Sequence, residues 1–148
     1  MNIKMSYRND EIKELYKSAG IQTEDSAGFD LITAEDISFS KIGEFKLVDL
    51  GVIIKVPKDH HSLLMPRSST FKKHQVLQAN SVGLIDEDYC GAKDFWKMPL
   101  VYFGEGTKII PKGTRLCQLV LQKTTKITEV EDFVPTDDSR GGFGSTGV

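Results

Sequence analysis

The sequence after residue 20 is a succession of short apolar, β-branched runs separated by glycine, proline and aspartate. The predicted strands are Phe45–Leu50, Val52–Val56, Ser62–Met65, Met98–Phe103, Thr107–Ile110, Leu116–Gln122 and Ile127–Val130. Strands this short and closely spaced leave no room for the crossover helices that parallel βαβ units require. The pattern therefore predicts an all-β sandwich or barrel.

Two short helices accompany these strands. The first is predicted over residues 10–19, with Asn9 or Asp10 as its N-cap and Gly20 at its end. Its apolar positions recur at i, i+3, i+4 and i+7, and they are Ile12, Leu15, Tyr16 and Ala19. The second is predicted over residues 70–74, because Ser68 or Ser69 can cap it. We thus expect a helix in an N-terminal extension, residues 1–24, and another after the predicted strand 62–65.

Length and composition restrict the class of protein. A chain of 148 residues with 39% hydrophobic and 27% charged residues is typical of one globular domain. The formal net charge of -2 argues against a nucleic-acid partner. No apolar run approaches the ~18–20 residues of a membrane span, and no signal peptide opens the chain. With only Cys90 and Cys117, both expected to be reduced, we expect a cytoplasmic protein with no membrane partner.

The C-terminal segment 135–148 is rich in glycine and hydroxyl side chains and is expected to be a flexible arm. Glycine allows the backbone close to a ligand, and consecutive amides can bind an anion. Arg140 adds a planar donor for phosphate oxygens, and Phe143 is an aromatic that could stack on a nucleobase. The alternative is a glycine-rich terminus without a ligand.

Residues 65–70, Met-Pro-Arg-Ser-Ser-Thr, end a predicted strand and open the short second helix. The free amides of a helix start favour phosphate, and Arg67, Ser68 and Ser69 would add side-chain donors. The alternative is an ordinary helix cap with a solvated arginine.

Residues 80–91 carry an apolar stretch that delivers Asp86 to what is predicted to be a strand end entering a turn. A carboxylate held at the mouth of a β-structure can take a proton from water and make it a nucleophile. The alternative is a polar hairpin turn.

Gln118 lies within an apolar predicted strand and needs a partner if buried: a ligand phosphate, a neighbouring subunit or a backbone carbonyl. Metal ligation by side chains is poorly supported, because His60, His61 and His74 lack companions at zinc spacing. Neither cysteine has a base placed to activate it, so both are interpreted as packing residues.

Five segments stand in a specific order: Ser26–Leu31, Pro66–Ser69, Gly83–Gly91, Gly113–Gln118 and Arg140–Gly147. In this order the series resembles the five motifs of the trimeric dUTPase family, the dUTP diphosphatases. The resemblance spans residues 26–147. It implies a β jelly-roll of the dUTPase type that forms a homotrimer with three active sites, each assembled from three chains.

The resemblance also implies a reaction: hydrolysis of dUTP to dUMP and pyrophosphate, which limits uracil in DNA and supplies dUMP for dTMP synthesis. Asp86 would deprotonate the water that attacks the α-phosphorus, and Asp30 would support the site. The residues implied to hold phosphates are Arg67, Ser68, Ser69, Gln118, Arg140, Gly144, Ser145 and Thr146. Those implied to contact the nucleoside are Asn80, Gly83, Ile85, Tyr89 and Phe143. Mg²⁺ would be bound chiefly by the triphosphate and water.

Two alternatives stay open. dCTP deaminase shares this fold and the Arg-Ser-Ser element, and some members combine deamination with dUTP hydrolysis. Deamination needs a glutamate where this chain has Val101, which cannot transfer protons, and an arginine where it has Lys72. A nucleotide-sensing regulatory protein could use the same pocket without turnover, but pure binding does not require Asp86.

Overall fold

The computed structural model describes residues 1–19, 23–135 and 138–142, which form eleven strands and two helices. The helices are α1 (Asp10–Ala19) and α2 (Thr70–His74). The strands are β1 (Lys4–Tyr7), β2 (Phe29–Ile32), β3 (Ile37–Phe39), β4 (Phe45–Asp49), β5 (Val52–Lys55), β6 (His60–Pro66), β7 (Val76–Gln78), β8 (Gly83–Ile85), β9 (Lys97–Tyr102), β10 (Lys108–Ile110) and β11 (Arg115–Lys123). The fold is all-β, as the strand pattern predicts.

The largest sheet is antiparallel, with strand order β2-β11-β6-β8. β11 lies at its centre because its alternating apolar positions are buried against the core. It pairs with β6 along residues 117–123 and with β2 on its other edge, where a bulge separates Arg115 from Cys117. This sheet carries the first group of candidate site residues.

A three-stranded sheet, β4-β9-β7, and two two-stranded sheets, β1-β5 and β10-β3, complete the fold. Their inner faces meet the large sheet in one hydrophobic core. Its largest fully buried side chains include Trp96, Tyr102, Phe39, Ile12, Leu31 and Ile32. In the part of the chain that the structure describes, no helix has the length and hydropathy needed to cross a membrane.

The N-terminal segment is part of this core. The Asn9 side chain accepts a hydrogen bond from Ile12 N at 2.9 Å, which makes Asn9 the N-cap of α1. The Tyr16 side chain is on the buried face of α1, and its hydroxyl donates to Leu50 O at 2.8 Å and accepts from Ile32 N. Burial raises the pKa of this phenol. The predicted helix is thus confirmed, and its apolar face closes one end of the core.

One predicted strand is wrong. Residues 127–130 form no strand, and residues 124–135 have no regular secondary structure. Ile127 and Val130 are each 87% exposed. A β-branched run becomes a strand only where another strand offers a hydrogen-bonding edge, and none lies beside it among the residues described. Short strands β1, β2, β3 and β7, which the sequence pattern did not predict, exist because such edges are present.

Candidate active site

Three polar side chains meet at one end of the large sheet, and we call them the Arg67 cluster: Asp30, Arg67 and Gln118. Arg67 follows the end of β6, Asp30 lies on β2 and Gln118 lies between them on β11. Arg67 Nε donates to Asp30 Oδ1 at 3.0 Å. Asp30 is only 4% exposed, so the ion pair places a buried carboxylate behind a partly exposed guanidinium. The arginine is thereby held in one orientation.

Gln118 lies directly opposite Asp30 on one neighbouring strand and Met65 on the other. Its Nε2 donates to Pro66 O at 3.2 Å, so its partner is a backbone carbonyl, one of the three predicted kinds. The side chain lies across Gly28, where an added Cβ would overlap Gln118 Oε1 and approach Cδ to 3.1 Å. Gly28 belongs to the motif Ser26–Leu31, which gave it no role of its own, and its lack of a side chain leaves the space that Gln118 occupies.

The turn from β6 into α2 is held by Thr70. Its buried hydroxyl donates to Leu116 O at 2.7 Å and accepts from Arg67 N at 3.1 Å. Ser69 is the N-cap of α2 but makes no side-chain capping hydrogen bond, contrary to the predicted capping role of Ser68 or Ser69. Both serines therefore keep their hydroxyls available, with Ser68 exposed and Ser69 half-buried.

A second group of candidate residues lines a cavity of about 450 Å³ beside β8. They are Asn80, Gly83, Ile85, Asp86 and Tyr89. Leu47, Leu64, Leu84, Trp96 and Lys97 complete the lining. We call this cavity the hairpin pocket. It combines apolar walls with a few polar groups, as small-molecule sites do.

Asp86 follows immediately on β8, which confirms the predicted strand end. Its side chain is exposed and accepts no hydrogen bond from any residue that the structure describes, while its backbone carbonyl accepts from Tyr89 N at 3.2 Å. Tyr89 is 43% exposed on the same turn. The turn thus presents a free carboxylate and an accessible ring next to the hairpin pocket.

Asp86 also borders a second cavity of about 480 Å³, which is lined mainly by charged and polar residues. His61 lies in its wall, with Nδ1 2.9 Å from Thr124 Oγ1. Cys90 lies there too, as a half-buried free thiol. Within residues 1–19, 23–135 and 138–142, no group of three or more histidine, cysteine, aspartate or glutamate side chains could hold a metal ion.

The Arg67 cluster and Asp86 lie at opposite ends of β6. Ile85 pairs with Ser62, so Asp86 stands level with His61, whereas Arg67 follows Pro66 at the far end of the strand. Six residues of extended strand separate these levels, or roughly 20 Å at 3.3 Å per residue. A single chain therefore brings the site residues together as two groups and not as one site.

Of the C-terminal candidates, Arg140 alone belongs to the described residues. Arg140 is exposed and forms no ion pair with any residue of the described ranges. Phe143, Gly144, Ser145 and Thr146 lie outside the described residues. Between β11 and Arg140 the chain exposes Ile127, Val130, Phe133 and Val134, each more than four-fifths accessible.

Sequence reasoning also missed Gln78, which lies beneath the hairpin pocket. It is a buried residue on β7 whose side chain reaches Asn80. The available signal was a glutamine in the apolar run Val76-Leu-Gln78 two positions before Asn80, the same kind of pattern that singled out Gln118.

Comparison with known proteins identifies the family. The family model described as dUTPase matches residues 16–147. The SPbeta prophage-derived deoxyuridine 5'-triphosphate nucleotidohydrolase YosS of Bacillus subtilis is 40% identical over 149 residues, covering 100% of this chain and 99% of that protein.

Two solved structures share the fold. A mutant dUTPase of Staphylococcus bacteriophage 80alpha with dUpNHpp superposes with a TM-score of 0.76 at 20% identity, covering 99% of both chains. A mutant dUTPase from phage phi11 of S. aureus, which has a structural Mg(II) ion, superposes with a TM-score of 0.71 at 19% identity, covering 90% of this chain and 99% of that one. The family match over nearly the whole chain and the close prophage relative lead to one conclusion: the chain belongs to the dUTPase family.

Proposed function

We propose that this protein hydrolyses dUTP to dUMP and pyrophosphate, with the Asp86 carboxylate as the base that activates water. One observation carries the proposal: Asp86 is exposed at the end of β8 on the rim of the hairpin pocket. Membership of the dUTPase family supports the same reaction.

In this reaction the Asp86 carboxylate removes a proton from water, and the water oxygen bonds to the α-phosphorus. The bond from the α-phosphorus to the oxygen bridging to the β-phosphorus then breaks, and pyrophosphate leaves. General-base assistance of this kind contributes about 10²–10⁴ in rate. An exposed carboxylate with no hydrogen-bond donor among the described residues keeps its oxygens available for water.

The hairpin pocket binds the nucleoside. Asn80 and backbone groups of Gly83 and Ile85 meet the edge of uracil, and the exposed Tyr89 ring packs against the deoxyribose, where a 2′-hydroxyl would collide. A pocket whose polar groups are matched to one base rejects others by leaving those groups unpaired.

The Arg67 cluster binds the phosphates. The ion pair to Asp30 uses Arg67 Nε and leaves the guanidinium end nitrogens to bind phosphate oxygens in the bidentate mode that arginine favours. Ser68, Ser69 and Gln118 add neutral donors at the same end of the sheet. The Arg140 segment, including Phe143, Gly144, Ser145 and Thr146, closes over the γ-phosphate and the base and excludes water.

The active site forms between chains of a homotrimer. Asp86 and Arg67 must act on one triphosphate, yet roughly 20 Å of β6 separates them within a chain. A surface suited to a second copy is present, because Phe45, Val101 and Leu77 form a row across β4, β9 and β7. Phe45 is 57% exposed and Leu77 46%, an apolar face that a subunit contact would cover.

Mg²⁺ assists through the substrate. The described residues offer no side-chain cluster for a metal, and Asp30 is already paired with Arg67, so the chain fits a metal held by phosphate oxygens and water. When bound, Mg²⁺ would neutralise phosphate charge that otherwise opposes the negative charge developing on the attacking oxygen.

Deamination is disfavoured by the position of Val101. This residue pairs with Phe45 and Leu77 in the apolar row of the β4-β9-β7 sheet. A valine in such surroundings cannot transfer a proton to a cytosine ring.

The first experiment incubates the purified protein and Mg²⁺ separately with dUTP, dCTP, dTTP and UTP, and measures pyrophosphate and ammonia. We expect pyrophosphate from dUTP alone. Ammonia from dCTP would instead support deamination. Binding of dUTP without turnover would support a nucleotide sensor, and sedimentation of the same sample tests the homotrimer.

A further inference from the structure

We infer that Gln78 is a positioning residue that determines the choice of uracil over cytosine, because it sets which end of the Asn80 amide faces the hairpin pocket. This inference rests on the proposed function, in which Asn80 meets the base. The role of Gln78 itself follows from three contacts beneath the pocket.

Gln78 lies at the end of β7 and is only 7% exposed. Its Nε2 donates to Leu64 O at 3.0 Å and to Asn80 Oδ1 at 2.9 Å. Its Oε1 is buried and has no hydrogen-bond partner among the described residues. Both of its side-chain hydrogen bonds to the described residues therefore run through one nitrogen, and one of them reaches a residue of the pocket.

These contacts fix the orientation of both amides. A backbone carbonyl can only accept a hydrogen bond, so the Gln78 atom next to Leu64 O must be the nitrogen. The same nitrogen faces Asn80, which must therefore present its oxygen, Oδ1. The Asn80 carbonyl is thus occupied from beneath, and its Nδ2 is the end left to bind a ligand in the hairpin pocket.

β8 covers this amide pair closely. A Cβ at Gly83 would lie 3.2 Å from Leu64 Cβ, 3.6 Å from Gln78 Nε2 and 3.7 Å from Asn80 Nδ2. The tight contact of such a Cβ would be with Leu64, whereas both amide nitrogens lie at ordinary contact distance from β8. The hydrogen bond between the two amides is part-buried, and a reversed Asn80 amide would put two donors face to face, which is unfavourable.

The fixed orientation has a direct chemical consequence. An NH₂ group pairs with the C4 carbonyl of uracil, whereas cytosine carries an amino group at C4 and would oppose donor to donor. Sites that hydrogen-bond a specific group discriminate strongly against its replacement. Asn80 alone could rotate its amide to suit either base, so the discrimination depends on Gln78.

The test compares Gln78→Met, which keeps the side-chain length and removes the donor, with Gln78→Glu. Burial keeps a glutamic acid at this position protonated, so its hydroxyl, in the place of Nε2, can donate its one proton to Leu64 O. The same oxygen then has no proton for Asn80 and instead accepts from the Asn80 NH₂ group. Gln122→Met, on the exposed end of β11, is the matched control. Isothermal titration with dUpNHpp and its cytosine counterpart gives the ratio of the two dissociation constants without requiring turnover.

We expect the wild type and Gln122→Met to prefer dUpNHpp equally. Gln78→Met should reduce this preference about tenfold, the loss of one well-placed hydrogen bond, and Gln78→Glu should reduce it further. If both Gln78 variants keep the wild-type ratio, or lose affinity for both nucleotides equally, the inference is overturned. If Gln78 only supported the structure of the pocket, its variants would lose affinity for both nucleotides equally.

The wild-type result separates this inference from the proposed function. A wild type that binds neither nucleotide overturns both. If the wild type prefers dUpNHpp and the Gln78 variants show the same ratio of dissociation constants, only the role of Gln78 is overturned. Should a variant not fold, ¹⁵N NMR of the wild type decides. The Asn80 side-chain amide should shift on addition of dUpNHpp while the Gln78 amide protons exchange slowly, and an unshifted Asn80 amide contradicts the inference.

Discussion

Arg67 and Asp86 lie at opposite ends of β6, and the chain holds them in different ways. Arg67 is paired with a carboxylate that is 4% exposed, and that carboxylate lies opposite Gln118 in the sheet register. Asp86 follows the last residue of an edge strand, and its side chain has no hydrogen-bond partner among the described residues. The chain itself fixes the Arg67 side chain, whereas the Asp86 side chain is exposed.

Under the proposed function, Arg67 and Asp86 have different tasks, and each is held in a way that fits its task. A phosphate-binding arginine must be oriented before substrate arrives, and a buried ion pair achieves that within a single chain. A general base must reach water, so it lies exposed. We therefore expect substitutions around Arg67 to alter stability and binding together, and a substitution of Asp86 itself to alter turnover alone.

The largest expected effect is that of Asp86→Asn. Removing the base should lower kcat by about 10²–10⁴, while dUpNHpp affinity and the thermal midpoint stay at wild-type values. Single-turnover kinetics and calorimetry measure these quantities. Glu87→Gln, on the same turn, is the control and should keep wild-type turnover, since its amide oxygen can still accept from Asp59 N. Near-normal turnover in Asp86→Asn would contradict the assignment.

Removal of residues 140–148 should be the next largest change. We expect turnover to fall about 10²-fold, because donors and water exclusion at the phosphates are lost. The thermal midpoint should not change, since Arg140 contacts none of the core residues. Circular dichroism and turnover of the shortened chain provide the check, and a chain that no longer folds would show that the arm also builds the core.

Arg67→Met should destabilise the fold by about 1–3 kcal/mol, because it leaves the buried Asp30 carboxylate without its ion-pair partner. Urea unfolding at one fixed protein concentration measures this, since assembly would otherwise shift the midpoint. The double variant Asp30→Asn with Arg67→Met should recover part of the loss. Arg140→Met, an exposed arginine, is the control and should leave the unfolding midpoint unchanged.

Gly28→Ala should have a smaller effect, about threefold to tenfold in KM, because its Cβ would displace the Gln118 side chain. In a Gln118→Ala background the same substitution should have little further effect, since the obstructing atoms are gone. A full additional loss in that background would show that Gly28 acts through something other than Gln118. Steady-state kinetics of the four chains tests this coupling.

The smallest effect concerns thiol reactivity. Burial and the nearby Asp30 carboxylate raise the pKa of the Cys117 thiol, so Cys117 stays protonated at pH 8 and should not react with iodoacetamide in the folded protein. Cys90, half-buried on the open turn, should be the residue modified. Mass spectrometry of the labelled native chain gives the result, and modification of Cys117 at the rate of Cys90 would mean that the Arg67 end opens readily.

Much of the fold could be predicted because local patterns report it directly. The α1 periodicity of Ile12 and Tyr16, with Asn9 before it, needs no tertiary contact to be recognised. Strands β4, β5, β6, β9, β10 and β11 lie where the apolar runs predicted them, within one or two residues. Ile127–Val130 has the same local pattern and forms no strand, because strand formation depends on a neighbouring edge that the local sequence does not encode.

The sequence could predict which residues belong to the candidate site, but not which of them contact one another. The five ordered motifs were recognisable because each carries distinctive glycine, arginine, serine or aspartate residues. Gln78 and Thr70 were missed because their roles consist of contacts to residues distant in the sequence, such as Leu64 O and Leu116 O. Backbone carbonyls are present in every residue, so no residue type marks them in advance.

The sequence by itself determined the class of fold, the N-terminal helix and the family, since periodicity and ordered motifs are properties of neighbouring residues. Only the tertiary structure decided which side chains meet. The register of β11 between β2 and β6 places Asp30 against Arg67, and the register of β8 on β6 sends Asp86 to the other end. A shift of one residue in either pairing would reverse the faces of these side chains, because successive residues of a strand point to opposite sides of the sheet.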